Sequence, residues 1–553
     1  MKGSKALLKM LEDRGVSSVF GYPGATVIPI YDEFLESNVR HILVRHEQCA
    51  AHMADGYARA TGTPGVCLAT SGPGTTNLVT GIATAYADSV PMIALTGQVG
   101  TNFLGAEAFQ EVDSYSLMMP VTKHNFRVLD PERLPHAINE GWKICQSGRP
   151  GPVHIDMPVD QINSDIDEDL LTKEWGIKEP ATDVSRINDA ALLIKNSARP
   201  VLLIGGGAIN ASEEIVRLAE FANIPVITTL MSLGIVPSGH PLNMGPLGMH
   251  GRMGALDLFQ SADLIIAIGT KFSDRTYNPH TMPAENCKVI QIDVDGTQFG
   301  KSKRASVDIL CDAKRGTKLL LDALKGYKDC KSEWNERYAK LRKRCQCSFD
   351  INTDPIAPQK VMCEINKLLD GDVIVTTDVG QNQMWSMHCL DIRRPRQFIT
   401  SGSFGTMGFG LPAALGAKVA KPDSKVLTIV GDGGLQMVCQ ELATSVAEDI
   451  PVTIVLLNNG WLGMVRQWQK LFWDKRFSGT KLNADPDFVK LAESFGATGI
   501  HVDKSSEVGD ALKQAMDSDV TCLVDIHTNP EEDICPMILA DPKVPIVKGR
   551  CPY

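Results

Sequence analysis

The 14 cysteines, scattered from Cys49 to Cys551, contain no C-x-x-C pair, and only Cys345 and Cys347 lie close together. A structural zinc site needs tighter paired spacing. The thiols therefore read as small hydrophobes kept reduced. No run of 18 apolar residues occurs and the mean hydropathy is −0.06, which argues against a transmembrane helix. Positive charge is in deficit: 55 Lys and Arg against 65 Asp and Glu leave a net charge of −10. Such a chain has no global attraction for nucleic acid or an anionic membrane, leaving only a local basic patch open. The first residues, Met1 to Leu11, run straight into an amphipathic helix without a long apolar core or a small-residue cleavage site. That pattern predicts no signal peptide and a cytoplasmic protein. No short repeat is visible, which excludes a solenoid.

What is present is an ordinary globular composition, 43% apolar and 22% charged, over 553 residues. That length holds about three to four domains. Short apolar runs alternate with helical patterns. Ser18 to Gly21, Ile42 to Val44, Val66 to Ala69 and Met92 to Thr96 read as buried strands; Glu47 to Ala60 and Thr75 to Ala87 read as helices. The alternation predicts an α/β chain of doubly wound parallel sheets. Two polar stretches, Asp160 to Asp183 and Lys325 to Pro355, read as connections, the second with a solvated helix. Three blocks result: 1–165, 185–345 and 360–545. The first and third share a coarse pattern.

In the third block, the apolar strand Val426 to Val430 ends in Gly431-Asp432-Gly433-Gly434, and a second, Val452 to Leu457, ends in Asn458-Asn459. The spacing from Asp432 to Asn459 leaves room for one helix between parallel strands. Both residues then sit at strand carboxyl ends, where open α/β sheets bind ligands. A hard divalent cation wants oxygen donors. Asp432 offers a carboxylate, Asn459 an amide oxygen, and a backbone carbonyl just beyond offers a third. Glycines beside Asp432 let a diphosphate approach the backbone. Two ordinary turns are the simpler alternative.

This spaced pair resembles the thiamine diphosphate motif, GDG followed some 25 residues later by NN. The segment Ser401 to Ala414, before it, and Leu462 to Gln469, after it, resemble those of acetolactate (acetohydroxyacid) synthases. The resemblance covers essentially the whole chain and implies the three-domain architecture of thiamine diphosphate enzymes. It implies a pyrimidine-binding domain at 1–165, a central FAD-binding-like domain at 185–345 and a diphosphate- and Mg2+-binding domain at 360–545. It assigns Asp432, Asn459 and the backbone at Trp461 to the metal. Val379, Gly380, Gln381, Asn382, Met407, Gly431, Gly433 and Gly434 go to the cofactor.

Arg45-His46-Glu47-Gln48 opens a predicted helix, where a Glu is ordinarily a favourable charge–dipole placement. The resemblance gives Glu47 a different task. It implies a hydrogen bond to N1′ of the aminopyrimidine, which promotes loss of the thiazolium C2 proton in a cofactor that serves as an electron sink. An alanine-rich neighbourhood should desolvate it. Gly21 to Gly24 and Ser71 to Gly74 are explained by turn geometry alone; the resemblance places Gly24 on the pyrimidine side. It also makes Gln110 of Phe109-Gln110-Glu111 a polar contact near the thiazolium and Phe109 part of a substrate wall. Met249, Arg275 and Trp468 complete the substrate set. Family architecture pairs Glu47 and Asp432 from different chains, implying a homodimer or homotetramer.

In the middle block, the strand Val201 to Ile204 ends in Gly205-Gly206-Gly207, a weak nucleotide signal because Asn210 breaks GxGxxG. Leu247 to Gly251 and Gly269 to Arg275 resemble the FAD-binding segments of acetolactate synthases, which do no net redox chemistry. Arg149 matches an arginine that contacts the flavin nucleotide. Asp293 and Asp312 are candidates for the adenosine end, or strand-end carboxylates in turns. Four departures stand out. Ala25-Thr26 follows Gly24 where the family often has Gly-Ala. Val159 replaces a lysine, Lys271 to Arg275 varies RFDDR, and Asn382 replaces a histidine.

The expectation is a catalytic subunit that decarboxylates pyruvate and joins the two-carbon unit to pyruvate or 2-oxobutanoate, in branched-chain amino acid biosynthesis. A small regulatory subunit is a possible partner. Rivals are another thiamine diphosphate-dependent 2-keto acid decarboxylase or carboligase, and a non-catalytic flavin-binding or regulatory protein. Glyoxylate carboligase is disfavoured by Glu47. Intact Glu47, Asp432 and Asn459 weigh against a non-catalytic scaffold.

Overall fold

The computed structural model describes residues 1–173, 181–329, 331–344, 351–483 and 486–548. Cys345 and Cys347 lie outside them. Within them the chain forms three six-stranded parallel sheets. The first holds β1 (Ser18–Gly21), β2 (Arg40–Leu43), β3 (Gly65–Ala69), β4 (Met92–Gln98), β5 (His124–Arg127) and β6 (Pro152–Pro158). The second holds β7 (Pro200–Ile204), β8 (Val226–Thr228), β9 (Asn243–Pro246), β10 (Leu264–Ile268), β11 (Lys288–Asp293) and β12 (Val307–Leu310). The third holds β13 (Val373–Thr377), β14 (Phe398–Ile399), β15 (Lys425–Gly431), β16 (Thr453–Asn458), β17 (Thr498–Val502) and β18 (Cys522–His527).

Most strands are unbroken apolar runs because helices cover both faces of each sheet. The strand order is β2-β1-β3-β4-β6-β5 in the first sheet and β14-β13-β15-β16-β18-β17 in the third. These are one topology written twice. The middle sheet, β12-β11-β10-β7-β8-β9, is wound differently. Each sheet has a switch point where successive strands depart in opposite directions: β1/β3, β7/β10 and β13/β15. A crevice opens there at the strand carboxyl ends.

The first and third sheets share one core. The helix Glu47–Thr61 starts where the His46 ring nitrogen accepts the Gln48 N–H at 3.1 Å, and it ends at Gly62, whose φ is 84°. It packs against the helix Gly410–Ala420 at backbone contact. A Cβ on Gly56 would stand 2.2 Å from the Ala413 carbonyl oxygen, and one on Gly416 would stand 1.9 Å from that of Met53. Phe20, Met53, Phe409, Leu411 and Leu435 lie in the resulting continuous apolar cluster. The buried Arg59 side chain fastens the seam, bonding Asp55, Asp88 at 3.0 Å and the Thr400 carbonyl at 3.0 Å.

The helix Ser332–Arg344, expected to be solvated, has one face in the middle core through Trp334, Tyr338 and Leu341. Burying such side chains is worth roughly 1.5–3 kcal/mol each, which outweighs the polar composition around them. The C-terminal stretch crosses from third block to middle. Ile534 is in the third core, Ile538 is in the middle core, and the Ile538 N–H donates to the Met249 carbonyl at 2.7 Å. Seven of the ten described cysteines are buried, consistent with thiols used as packing. No described helix is long and apolar enough to cross a membrane.

Candidate functional site

The β13/β15 switch point opens into a cleft lined by Val379, Gly380, Gln381, Asn382, Met407, Gly431, Asp432, Gly433, Gly434, Asn459 and Trp461. Every third-block residue that the motifs assigned to cofactor or metal is brought together there. Parallel pairing of β15 with β16 sets Gly431 level with Leu457, so Asp432 and Asn459 emerge side by side from adjacent strands. One Asp432 oxygen accepts the Gly433 N–H at 2.9 Å. The other accepts Asn459 N–H at 3.2 Å and Gly460 N–H at 2.6 Å, fixing the two turns against each other. The Asn459 amide oxygen takes the Trp461 N–H at 2.9 Å and keeps a second lone pair.

The cleft fits a metal-bound diphosphate. The donor set at Asp432, Asn459 and the Trp461 backbone is all oxygen, as Mg2+ requires. The glycines leave no room for side chains: a Cβ on Gly463 would meet Gln381 Oε1 at 2.2 Å, and one on Gly433 would meet Leu462 at 2.5 Å. Asn382 is buried, and its amide oxygen has no protein partner among the described residues. Its amide nitrogen lies toward Gly380 and Gly431, where it can donate to an anionic ligand.

Asp378, just past β13, was not singled out by the sequence motifs. It is fully buried and accepts the N–H groups of Val379, Gly408 and Gly410 at 2.7 to 3.1 Å. Burial pushes its carboxyl up to about 6, against the pull of those three donors. Gly434 lies against it, since a Cβ there would stand 2.6 Å from the carboxylate. Asp378 thus holds the Met407 loop to the base of the cleft. Gly463 and Met464, of the family-like segment Leu462 to Gln469, also line the cleft, as does Thr528, which had no sequence signal.

Glu47 does not line this cleft; its residues all come from Pro358 to Thr528. It stands half-buried at the first turn of its helix, accepting Asn77 Nδ2 at 2.9 Å. It faces the β1/β3 switch point, where Gly74 lies near its carboxylate. Gly24 is wedged against Thr70, and the Thr26 hydroxyl meets Thr70 Oγ1 at 3.0 Å and the Ser71 N–H at 3.1 Å. The Ala25-Thr26 departure therefore supplies its own bracing. Gln110 has a left-handed backbone, φ 59°, against Gly72. A non-glycine residue there is strained. Phe109 next to it is 86% exposed at the loop tip.

The middle crevice lies at β7/β10. Gly205 sits against Gly269, where a Cβ would come within 2.2 Å of the carbonyl oxygen. Arg149 reaches across from the first block, with its Nε on Ser89 Oγ at 2.8 Å and an ion pair to Asp295 at 3.6 Å. Lys271 donates to the Ala87 carbonyl; burial and the nearby Arg149 push it down to about 8. Burial pushes Asp293 up to about 6. Glycines at a switch point with a cationic rim suit a nucleotide diphosphate. Asp312 is engaged elsewhere, capping the helix Ala313–Ala323 through the N–H groups of Lys314 and Arg315.

Of the substrate set, Arg275 Nη1 reaches Met249 Sδ at 3.1 Å. Trp468, on the helix Gly463–Phe472, packs edge-on to Phe472 with ring centroids 6.0 Å apart. Among the described residues, no hydrogen bond or ring contact joins Phe109, Trp468 and the Met249–Arg275 pair within one chain.

Residues 1–117 match the N-terminal TPP-binding domain of thiamine pyrophosphate enzymes, 187–324 the central domain, and 378–526 the C-terminal TPP-binding domain. The chain is 48% identical to the probable acetolactate synthase large subunit of Methanocaldococcus jannaschii, over 97% of this chain and 93% of that one. It is 44% identical to the acetolactate synthase large subunit of Corynebacterium glutamicum, over 98% and 89%. It is 40% identical to the acetolactate synthase isozyme 1 large subunit of Escherichia coli, over 97% and 95%.

Proposed function

Since the chain belongs to the acetolactate synthase large subunits of the thiamine pyrophosphate enzyme family, we propose how its residues divide the reaction. The enzyme decarboxylates pyruvate and condenses the two-carbon unit with pyruvate or 2-oxobutanoate, at the entry to branched-chain amino acid biosynthesis. The observation that carries this reading is the cleft at β13/β15, where an oxygen donor set faces a glycine cradle.

Asp432, Asn459 and the Trp461 carbonyl would hold Mg2+, whose charge would offset that of a bound diphosphate. Gly431, Gly433 and Gly463 admit it to the backbone, and Asn382 would donate to it from its amide nitrogen, which lies toward Gly380 and Gly431. Thiamine diphosphate, when bound, supplies the electron sink that lets a 2-keto acid lose carbon dioxide. Glu47 accepts and returns a proton at the pyrimidine edge. Asn77 keeps its carboxylate oriented. Met407, Trp461 and Leu462 supply apolar lining to the cleft. Arg275 orients the acceptor carboxylate with its planar guanidinium, and Trp468, Met249 and Phe109 wall its alkyl end.

The site is completed by two chains. Glu47 stands outside the same-chain cleft, and Phe109, Ile28 and Phe103 are 86%, 60% and 59% exposed on the first block. A second copy that covers them brings its own Asp432 cleft to Glu47. The middle crevice would hold FAD as a structural group, with Arg149 as its contact at the nucleotide and Asp293 as the candidate for the adenosine end. The relatives are named large subunits, so a small regulatory subunit is the expected partner. The acidic chain and the buried thiols fit a cytoplasmic protein without nucleic-acid or membrane partners.

Incubation with pyruvate, Mg2+ and thiamine diphosphate should yield acetolactate, whereas acetaldehyde alone would indicate a simple decarboxylase. Glu47→Gln should slow hydrogen–deuterium exchange at C2 of the bound cofactor while leaving the fold intact; unchanged exchange removes Glu47 from its role. The purified protein should be yellow and release FAD on denaturation, and a colourless, fully active enzyme would refute the flavin site.

A further inference from the structure

The carboxyl ends of β17 and β18 carry a second cluster of metal-ligating side chains that the reaction does not use. Parallel pairing sets His501 beside Asp525. Side chains two apart on a strand share a face. His501 and Asp503 therefore line up on one side and Asp525 and His527 on the other, forming a square on one face of the sheet edge. Asp503 bridges the two rings, with Oδ2 at 2.8 Å from His501 Nε2 and Oδ1 at 3.0 Å from His527 Nδ1. The rings stand edge to face with centroids 4.6 Å apart. The donor atoms of His501, Asp503 and His527 all lie within 4.8 Å of one another and face solvent.

The fourth corner is different. The Asp525 side chain is 6% exposed and is anchored by Asn458 Nδ2 at 3.0 Å. Its Oδ2 faces the far nitrogen of each ring, 3.8 Å from His501 Nδ1 and 3.6 Å from His527 Nε2. In metal sites a ligating imidazole points its other nitrogen at a carboxylate, which fixes the tautomer and raises ligand basicity. One buried carboxylate here stands behind two rings at once. That arrangement is not needed by an exposed His–Asp ion pair, whose worth is small.

We propose that His501, Asp503 and His527 form a binding site for a borderline divalent transition ion such as Zn2+, with Asp525 as the shared supporting carboxylate. Imidazole nitrogens suit zinc, cobalt or nickel. Mg2+ demands oxygen donors and belongs in the Asp432 cleft. Two carboxylates balance the dication, and the solvent side leaves positions for water. The bound ion ties the loop after β17 to the end of β18. This site is independent of the acetolactate reaction.

The test titrates the full chain, already loaded with Mg2+ and thiamine diphosphate, with Zn2+ under calorimetry. The wild type should take up one more tightly held Zn2+ per chain than His501→Ala/His527→Ala, whose residual affinity should be at least about tenfold weaker. Asp525→Asn, which keeps all three ligands, should lose about 10–100-fold in affinity. Excess Mg2+ should not compete. Circular dichroism checks the folds, and if the double variant misfolds, the exposed single variant His501→Gln makes the comparison. Equal Zn2+ uptake by wild type and variant, as binding at the thiols would give, overturns the proposal. So does no uptake by the wild type.

Discussion

Asp432 lines the cleft and Asp378 is buried behind it, and the two carboxylates have opposite duties. In the proposed site Asp432 would hold Mg2+, and its removal would leave the diphosphate charge uncompensated. Asp432→Ala should abolish Mg2+-dependent retention of thiamine diphosphate after dialysis; a variant that retains it like the wild type would sink the metal assignment. Asp378 faces the protein. Its folded pKa of about 6 lies above the unfolded value, so the folded chain binds the extra proton between the two. Stability from that proton is present at the acid end and lost as pH rises through about 6. The shift of about two units is worth roughly 3 kcal/mol. Asn at 378 does not titrate. The melting-temperature gap between wild type and Asp378→Asn should therefore narrow as pH rises from about 4 to 7. A gap that widens contradicts this.

The same two residues show what a sequence discloses. Asp432 was legible because its partner Asn459 follows one strand later in a motif of fixed spacing. Asp378 was not, because the N–H groups that define its task come from Gly408 and Gly410, some thirty positions along. Nothing in the sequence around Asp378 records them. The amide oxygen of Asn382 is a similar case: its departure from the family pattern is visible, but its burial without a partner among the described residues is a property of the fold.

At the scale of elements, the apolar runs placed the strands within a residue or two, as at β1 (Ser18–Gly21) and β3 (Gly65–Ala69). Buried parallel strands leave little ambiguity. The helix Ser332–Arg344 was misjudged as solvated because three buried side chains are a minority in a highly charged segment. The identical winding of the first and third sheets was also only half legible, since strand order depends on crossovers that periodicity does not encode. The contact between the helices Glu47–Thr61 and Gly410–Ala420 depends on glycine at two points. Gly56→Ala would drive a methyl into the Ala413 carbonyl. Overpacking of this kind costs about 1–3 kcal/mol. Because this seam positions Glu47, the variant should melt earlier and retain less activity. Gly105→Ala is the wrong control, since that residue has φ 78°. Gly239→Ala, with nothing within 4 Å, is the right one and should melt like the wild type. Equal melting of Gly56→Ala and wild type would contradict the packing argument.

The whole molecule presents three switch-point crevices, each at the carboxyl ends of a parallel sheet and each lined by glycine. One chain puts Glu47 and the Asp432 cleft in different crevices, and the proposed function joins them across two copies. Mixing two inactive variants, Glu47→Ala and Asp432→Ala, tests this most directly. The chains are co-refolded in equal amounts and assayed for acetolactate. If each site takes Glu47 from one copy and Asp432 from the other, half the dimers are mixed, and each mixed dimer holds one intact site. Activity should then recover to about a quarter of the wild-type value. If a single chain builds the whole site, every site lacks one group, and the mixture should stay as inactive as its components.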